Sequence, residues 1–149
     1  LGDRGVEYAV FGAVALGLHG LPRTTADLDL FLRPDAGNVE RLKAALRDVH
    51  GDPAIDEISA SDLCGDYPAV RYYPPSGDLY FDILTRLGEV ASFETVEAET
   101  KEIEGVPVAL ATPRALFRMK RNTVRPIDKA DAMALQAAFA LDPEDPACQ

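Results

Sequence analysis

The chain has 149 residues, 47% of them apolar and 27% charged, which is ordinary for a globular protein and long enough for one domain with a buried core. Its net charge of −10 opposes broad, sequence-independent nucleic-acid binding, which needs Lys and Arg to neutralise phosphates. No apolar run approaches the ~18 residues of a membrane span and no signal region is visible, so a cytoplasmic location is expected; Cys64 and Cys148 fit no metal-spacing motif and suggest no disulfide framework.

Leu1 to Gly5 reads as the end of a helix entering a strand, which implies native sequence upstream of Leu1. Tyr8 to Phe11 is a short apolar strand that runs into Gly12, and the small residues Gly12-Ala13-Val14-Ala15-Leu16 predict a brief helix closed by Gly20. Arg23-Thr24-Thr25 then leads into a second apolar strand ending at Leu32 that carries Asp27 and Asp29. Residues i and i+2 of a strand project to one face about 6–7 Å apart, so both carboxylates reach one point while Leu28 and Leu30 face away. Oxygen ligands in this arrangement suit Mg²⁺, which binds through one or two carboxylates and completes its shell with water and substrate phosphate.

Asp35 or Asn38 can cap a covering helix through about Val49, with Val39, Leu42, Ala45, Leu46 and Val49 on its apolar face. The stretch from Gly51 to Asp66 is ambiguous: Ile55 and Ile58 suggest a short strand, Ser61-Asp62-Leu63 a helical turn. Ala69–Tyr73 and Leu79–Leu84 flank the turn residues Pro74 to Asp78 and predict a hairpin. Asp82 interrupts the second of these β-prone runs, and a carboxylate there is costly unless a metal or another cation compensates it, so it is the expected third ligand.

Ser92-Phe93-Glu94 predicts a capped helical turn, Val96 to Ile103 a half-exposed strand, and Val106 to Leu110 its hairpin partner. Thr112-Pro113 starts a helix to about Arg121, and Pro126 opens a last one whose apolar face would be Ile127, Ala130, Ala134, Leu135, Ala138 and Leu141. From Arg114 to Lys129 the two helices and their link carry six cations, Arg114, Arg118, Lys120, Arg121, Arg125 and Lys129, against Asp128. This segment reads equally as a polyphosphate or short-RNA contact and as a solvated helix face. Residues 142–149 read as a frayed polar tail, leaving one domain over 1–141.

Gly12-Ala13, Arg23-Thr24-Thr25, Asp27-Leu28-Asp29 and Asp82 together resemble the nucleotidyltransferase superfamily typified by DNA polymerase β, and among its members small bacterial proteins of the abortive-infection toxin type. The resemblance spans roughly residues 5–135. It implies the nucleotidyltransferase fold, an α/β (α+β) domain with a mixed β-sheet flanked by helices. It also implies transfer of a nucleoside monophosphate from a nucleoside triphosphate to an acceptor hydroxyl on a small molecule, a tRNA or a protein, with Mg²⁺ or Mn²⁺ as cofactor. Asp27, Asp29 and Asp82 would be the metal ligands and catalytic residues, with Asp82 accepting the acceptor's proton. Gly12 and Ala13 would bring backbone N–H groups to phosphate, Arg23, Thr24 and Thr25 would add a guanidinium and hydroxyls, and Lys120 would contact the nucleotide. A toxin would bring an antitoxin protein as partner.

Ala13 stands where the family more often has Gly or Ser, removing a hydroxyl but keeping the N–H. This departure supports a second expectation, a catalytically degenerate binding or regulatory module on the same fold. A metal-dependent phosphohydrolase would use the same acids but usually adds histidine ligands, and neither His19 nor His50 lies in a metal-spacing motif.

Overall fold

The two apolar segments that begin the chain become the middle of a sheet. The structure, a computed structural model, describes residues 1–149. In chain order it contains β1 (Tyr8–Phe11), α1 (Gly12–Leu18), β2 (Asp27–Leu32), α2 (Ala36–Val49), α3 (Ala60–Leu63), β3 (Ala69–Tyr72), β4 (Tyr80–Leu84), β5 (Arg86–Leu87), β6 (Ala91–Ser92), β7 (Ala98–Ile103), β8 (Val106–Ala111), α4 (Pro113–Lys120) and α5 (Pro126–Phe139). Six strands form one mixed sheet in the order β3-β4-β2-β1-β8-β7, while β5 and β6 pair separately. β2 runs antiparallel to β1 and parallel to β4, β1 runs parallel to β8, and β3 and β7 close the sheet as antiparallel edges. The mixed α/β architecture expected from the sequence is present.

The central strands are apolar on both faces, as strands covered on both sides must be. Leu30, Phe31 and Leu32 are fully buried, and Phe31 stacks on Phe11 of β1 with ring centroids 4.2 Å apart. Val39 and Leu42 of α2, Leu116 of α4 and Leu135 of α5 complete the same core. The helix starts follow their capping signals: Asp35 accepts from the Asn38 N–H at 2.9 Å, and Thr112 accepts from the Ala115 N–H at 3.2 Å with Pro113 in the first turn.

Three local expectations are corrected. Pro53–Glu57 is a 3₁₀ turn and not a strand at Ile55, because Asp52 caps it and Pro53 fixes its first residue. Ser92 ends β6, paired with Arg86, and the expected turn follows it: the N–H groups of Thr95 and Val96 donate to the Ser92 carbonyl at 3.2 and 3.0 Å. β7, an edge strand, is exposed along nearly its whole length, and its side chains meet the fold through polar contacts, Lys101 Nζ donating to the Leu18 carbonyl at 2.7 Å and Glu99 lying 3.7 Å from His19. α5 turns Ile127, Ala130, Ala134 and Ala138 outward and packs Asp128, Asp131, Ala132 and Leu135 inward.

The C-terminal residues also close onto the fold, against the expectation of fraying. Cys148 is buried, and Arg121 donates from Nη1 to the carbonyls of Pro143 at 2.9 Å and Cys148 at 3.1 Å. No helix is long and apolar enough to cross a membrane.

Candidate active site

Strand register brings the three acidic residues together. Asp29 of β2 is the register partner of Asp82 in the parallel strand β4, and Asp27 lies two residues earlier on the same face of β2. One carboxylate oxygen from each of Asp27, Asp29 and Asp82 lies within 4.8 Å of the other two, and all three residues are half-buried. The same face of β2 continues with fully buried Phe31, so the carboxylates sit at the rim where the apolar core ends. They open into a cleft of about 760 Å³ together with Gly12, Ala13, Arg23, Thr24, Thr25 and Lys120. All nine residues singled out from the sequence therefore line one cavity.

Each carboxylate has a different environment. Asp27 accepts from the Thr25 hydroxyl and, at 3.4 Å, from the Tyr80 hydroxyl. Thr25 thus holds a carboxylate, where the resemblance assigned it to phosphate. Asp82 receives both arms of the Arg71 guanidinium, Nε at 2.6 Å and Nη2 at 2.8 Å. Asp29 has no such partner; burial, followed by the charges of Asp27 and Asp82, pushes its pKa up to about 7, against the opposing fields of Lys120 and Arg23. Three hard oxygen donors crowded in this way fit a divalent cation such as Mg²⁺ or Mn²⁺, whose charge would relieve their repulsion.

Gly12 makes this crowding possible. Its φ of +67° lies in the left-handed region, and a Cβ there would overlap Oδ2 of Asp29 and come within 2.8 Å of its Cγ. Phe11, the residue before it, is the cross-strand partner of Asp29, so the strand-to-helix turn passes directly against that carboxylate. The expected close approach of backbone to an anion exists, but the anion in the structure is Asp29. Gly12→Ala should therefore cost about 1–2 kcal/mol in backbone strain alone and displace Asp29. Urea unfolding reads the first effect, and a Mn²⁺ titration, expected to weaken, reads the second.

A buried ionic network forms the opposite wall. Lys120 Nζ lies 2.9 Å from Asp128 Oδ1 and 2.9 Å from Asp131 Oδ2, Arg125 grips Asp128 through Nε at 2.6 Å and Nη2 at 2.9 Å, and Arg23 Nε reaches Asp131 at 3.2 Å. The basic segment is thus largely committed within the fold: Lys120 and Arg125 to acids of α5, Arg114 toward Glu97 at 4.0 Å, and Arg121 to the C-terminal carbonyls. The cleft lining carries four cations, Arg23, Arg71, Lys120 and Arg125, against four carboxylates, Asp27, Asp29, Asp82 and Asp128. Arg71 and Tyr80 are the contributors that sequence reasoning left without a role; Arg71 faces Asp82 only in the hairpin register that the structure shows.

No family model and no curated protein sequence matches the chain. Among solved structures, it is similar to an antigenic nucleotidyltransferase-like protein from Paracoccidioides brasiliensis, with a TM-score of 0.57 and 19% identity over 99% of this chain and 74% of that one. At that identity the likeness shows the fold, which is nucleotidyltransferase-like.

Proposed function

We propose that the chain is a divalent-metal-dependent nucleotidyltransferase that moves a nucleoside monophosphate from a triphosphate to an acceptor hydroxyl, with pyrophosphate leaving. The observation that carries this reading is the convergence of Asp27, Asp29 and Asp82 beside Gly12 in the main cleft of a nucleotidyltransferase-like fold. Asp27, Asp29 and Asp82 would hold Mg²⁺ or Mn²⁺, which when bound would neutralise polyphosphate charge and acidify the acceptor hydroxyl. The chain's own part is positioning and charge complementarity. Thr25 and Tyr80 orient the Asp27 carboxylate, Gly12 leaves room for Asp29, and the cations of Arg23 and Arg125 flank the space in front of them. The resemblance gave the acceptor's proton to Asp82, whose two oxygens Arg71 holds and would have to release first.

The commitment of the basic segment to internal pairs favours a small-molecule or protein-side-chain acceptor over tRNA, because little positive surface remains to track a polyanion. The same geometry is compatible with a toxin acting on such a target and restrained by an antitoxin.

Isothermal titration with Mg²⁺ and each of the four nucleoside triphosphates tests the reading. Wild type should bind at least one, and Asp27→Asn with Asp29→Asn should abolish binding. Pyrophosphate release should fall by about 10²-fold or more in Asp82→Asn, the loss typical when one element of transition-state charge stabilisation is removed. Absence of binding by wild type would overturn the proposal, and Mg²⁺-dependent binding without pyrophosphate release under any acceptor tried would favour the regulatory module.

A further inference from the structure

Asp82 is the middle of a row that crosses three strands: Arg71 on edge strand β3, Asp82 on β4 and Asp29 on β2, each the register partner of the next. On one side Asp82 faces a carboxylate, on the other a guanidinium that engages both of its oxygens in a fork-to-fork pair. The pair is therefore fixed by strand register and is no chance meeting of long surface side chains. It is not a buried structural bridge either: the Arg71 side chain is 50% exposed, against 19% for Asp82. Beyond the carboxylate, the guanidinium rests over the Tyr80 ring, 4.7 Å from its centroid, and both residues line the cleft. Half exposed at the cleft rim, the Arg71 side chain has room to swing its head group along it.

A carboxylate whose two oxygens are both held by a guanidinium cannot offer its lone pairs to a cation at no cost. From this juxtaposition we propose that Arg71 is a resident counter-ion: it neutralises Asp82 while the acidic trio is free of metal, and it passes to a phosphate oxygen of the substrate when a divalent cation takes Asp82. This rests on the reading of the trio as a cation site given above. Its consequence is a coupling between two ligands. Metal alone must displace the guanidinium and binds weakly, whereas metal arriving with polyphosphate gives the guanidinium a new bidentate partner and binds well. Linkage makes the effect reciprocal. The chain would thereby reject free cations and accept the metal–triphosphate complex.

The test measures binding, not turnover. Wild type, Arg71→Gln and Arg71→Lys are titrated with Mn²⁺ alone, followed by electron paramagnetic resonance of the free ion, and with the preformed Mn²⁺–tripolyphosphate complex by calorimetry. Arg86→Gln, which removes the same charge at a residue that does not itself line the cleft, controls for net charge. Arg71→Gln should bind Mn²⁺ alone about tenfold more tightly and the complex about tenfold more weakly, the order expected for one charge-assisted pair lost. Arg71→Lys, which keeps the charge but not the fork, should fall between, and Arg86→Gln should change neither affinity by more than about twofold. Affinities that are unchanged in Arg71→Gln, that move in the same direction for both probes, or that move equally in Arg86→Gln would overturn the inference while leaving the cation site standing, provided Asp27→Asn abolishes Mn²⁺ binding. Failure of wild type and both Arg71 variants to bind Mn²⁺ would overturn the site reading and this inference together.

Discussion

Lys120→Met should destabilise the chain by about 3–5 kcal/mol, the cost typical of removing one partner from a buried ion pair. Lys120 is only 9% exposed and its Nζ lies 2.9 Å from each of two carboxylates, Asp128 and Asp131, that face inward from consecutive turns of α5. Methionine matches the length and apolar stem of lysine, so the loss isolates the charge. Arg125 and Arg23 would still hold one oxygen group each, but from the cleft side, leaving two partly desolvated anions facing one another. The measurement is urea unfolding at pH 7. Adding Asp128→Asn and Asp131→Asn to the same chain should restore much of the loss, because neutral amides need no buried counter-ion.

The pH dependence has a definite sign. Hydrogen bonding from Arg125, reinforced by Lys120, holds the Asp128 carboxyl well below the usual carboxylate range. A depressed native pKa contributes stability that is complete above the unfolded value, about 3.9, and is lost as pH falls below it. Wild type should therefore lose stability between about pH 5 and pH 3 more steeply than the triple variant, whose amides do not titrate there. A lysine bound in this way fastens α4 to α5 before it does anything for a ligand, so any weakening of nucleotide binding in Lys120→Met must be separated from loss of the fold.

This network also marks where sequence reading stops. The strands around Asp27, Asp29 and Asp82 are legible because local patterns decide them: apolar runs, a Gly at the strand end, a carboxylate where the run has no local reason for one. α5 is not, because two stripes compete on it. Ile127, Ala130, Ala134 and Ala138 form the apolar stripe that burial by transfer free energy would choose, yet Asp128 and Asp131 take the inside once Lys120, Arg23 and Arg125 are present to compensate them. Compensation is a tertiary fact, since Arg23 stands more than 100 positions from Asp131. Arg71 shows the same limit at smaller scale. A hairpin turning over Pro74 to Asp78 symmetrically pairs Tyr73 with Leu79 and leaves Arg71 opposite Phe81, whereas the structure pairs Arg71 with Asp82. In a strand one residue of slip exchanges the two faces, so the counter-ion of the third carboxylate is invisible until register is known. Gly12 is the reverse case: its need was legible, but the group it makes room for was a side chain of the same chain.

Asp29→Asn should make the metal-free protein more stable at pH 8 while abolishing its response to Mg²⁺. Asp29 is pressed against Gly12, half-buried, and within reach of two further carboxylates, so its ionised form is disfavoured by burial and by like charge, and its pKa rises from near 4 to about 7. For an acid whose native pKa lies above the unfolded one, the folded chain binds more protons between those values. Stability is then greatest below about pH 4 and declines as pH rises through about 7. A difference of three pKa units sets a ceiling of about 4 kcal/mol on the cost at pH 8, and asparagine, nearly isosteric and uncharged, should recover part of it, about 1–3 kcal/mol. Thermal unfolding in chelator at pH 5 and pH 8 reads the effect: wild type loses stability between the two, and Asp29→Asn loses less. Adding 10-fold excess Mg²⁺ over its dissociation constant should then raise the wild-type midpoint by mass action, about 1.4 kcal/mol of stabilisation, and leave the variant unmoved. If Asp29 were held for structure alone, its replacement would lower stability at every pH, and a variant less stable than wild type in chelator at pH 8 would contradict the crowding on which a cation site at this position depends.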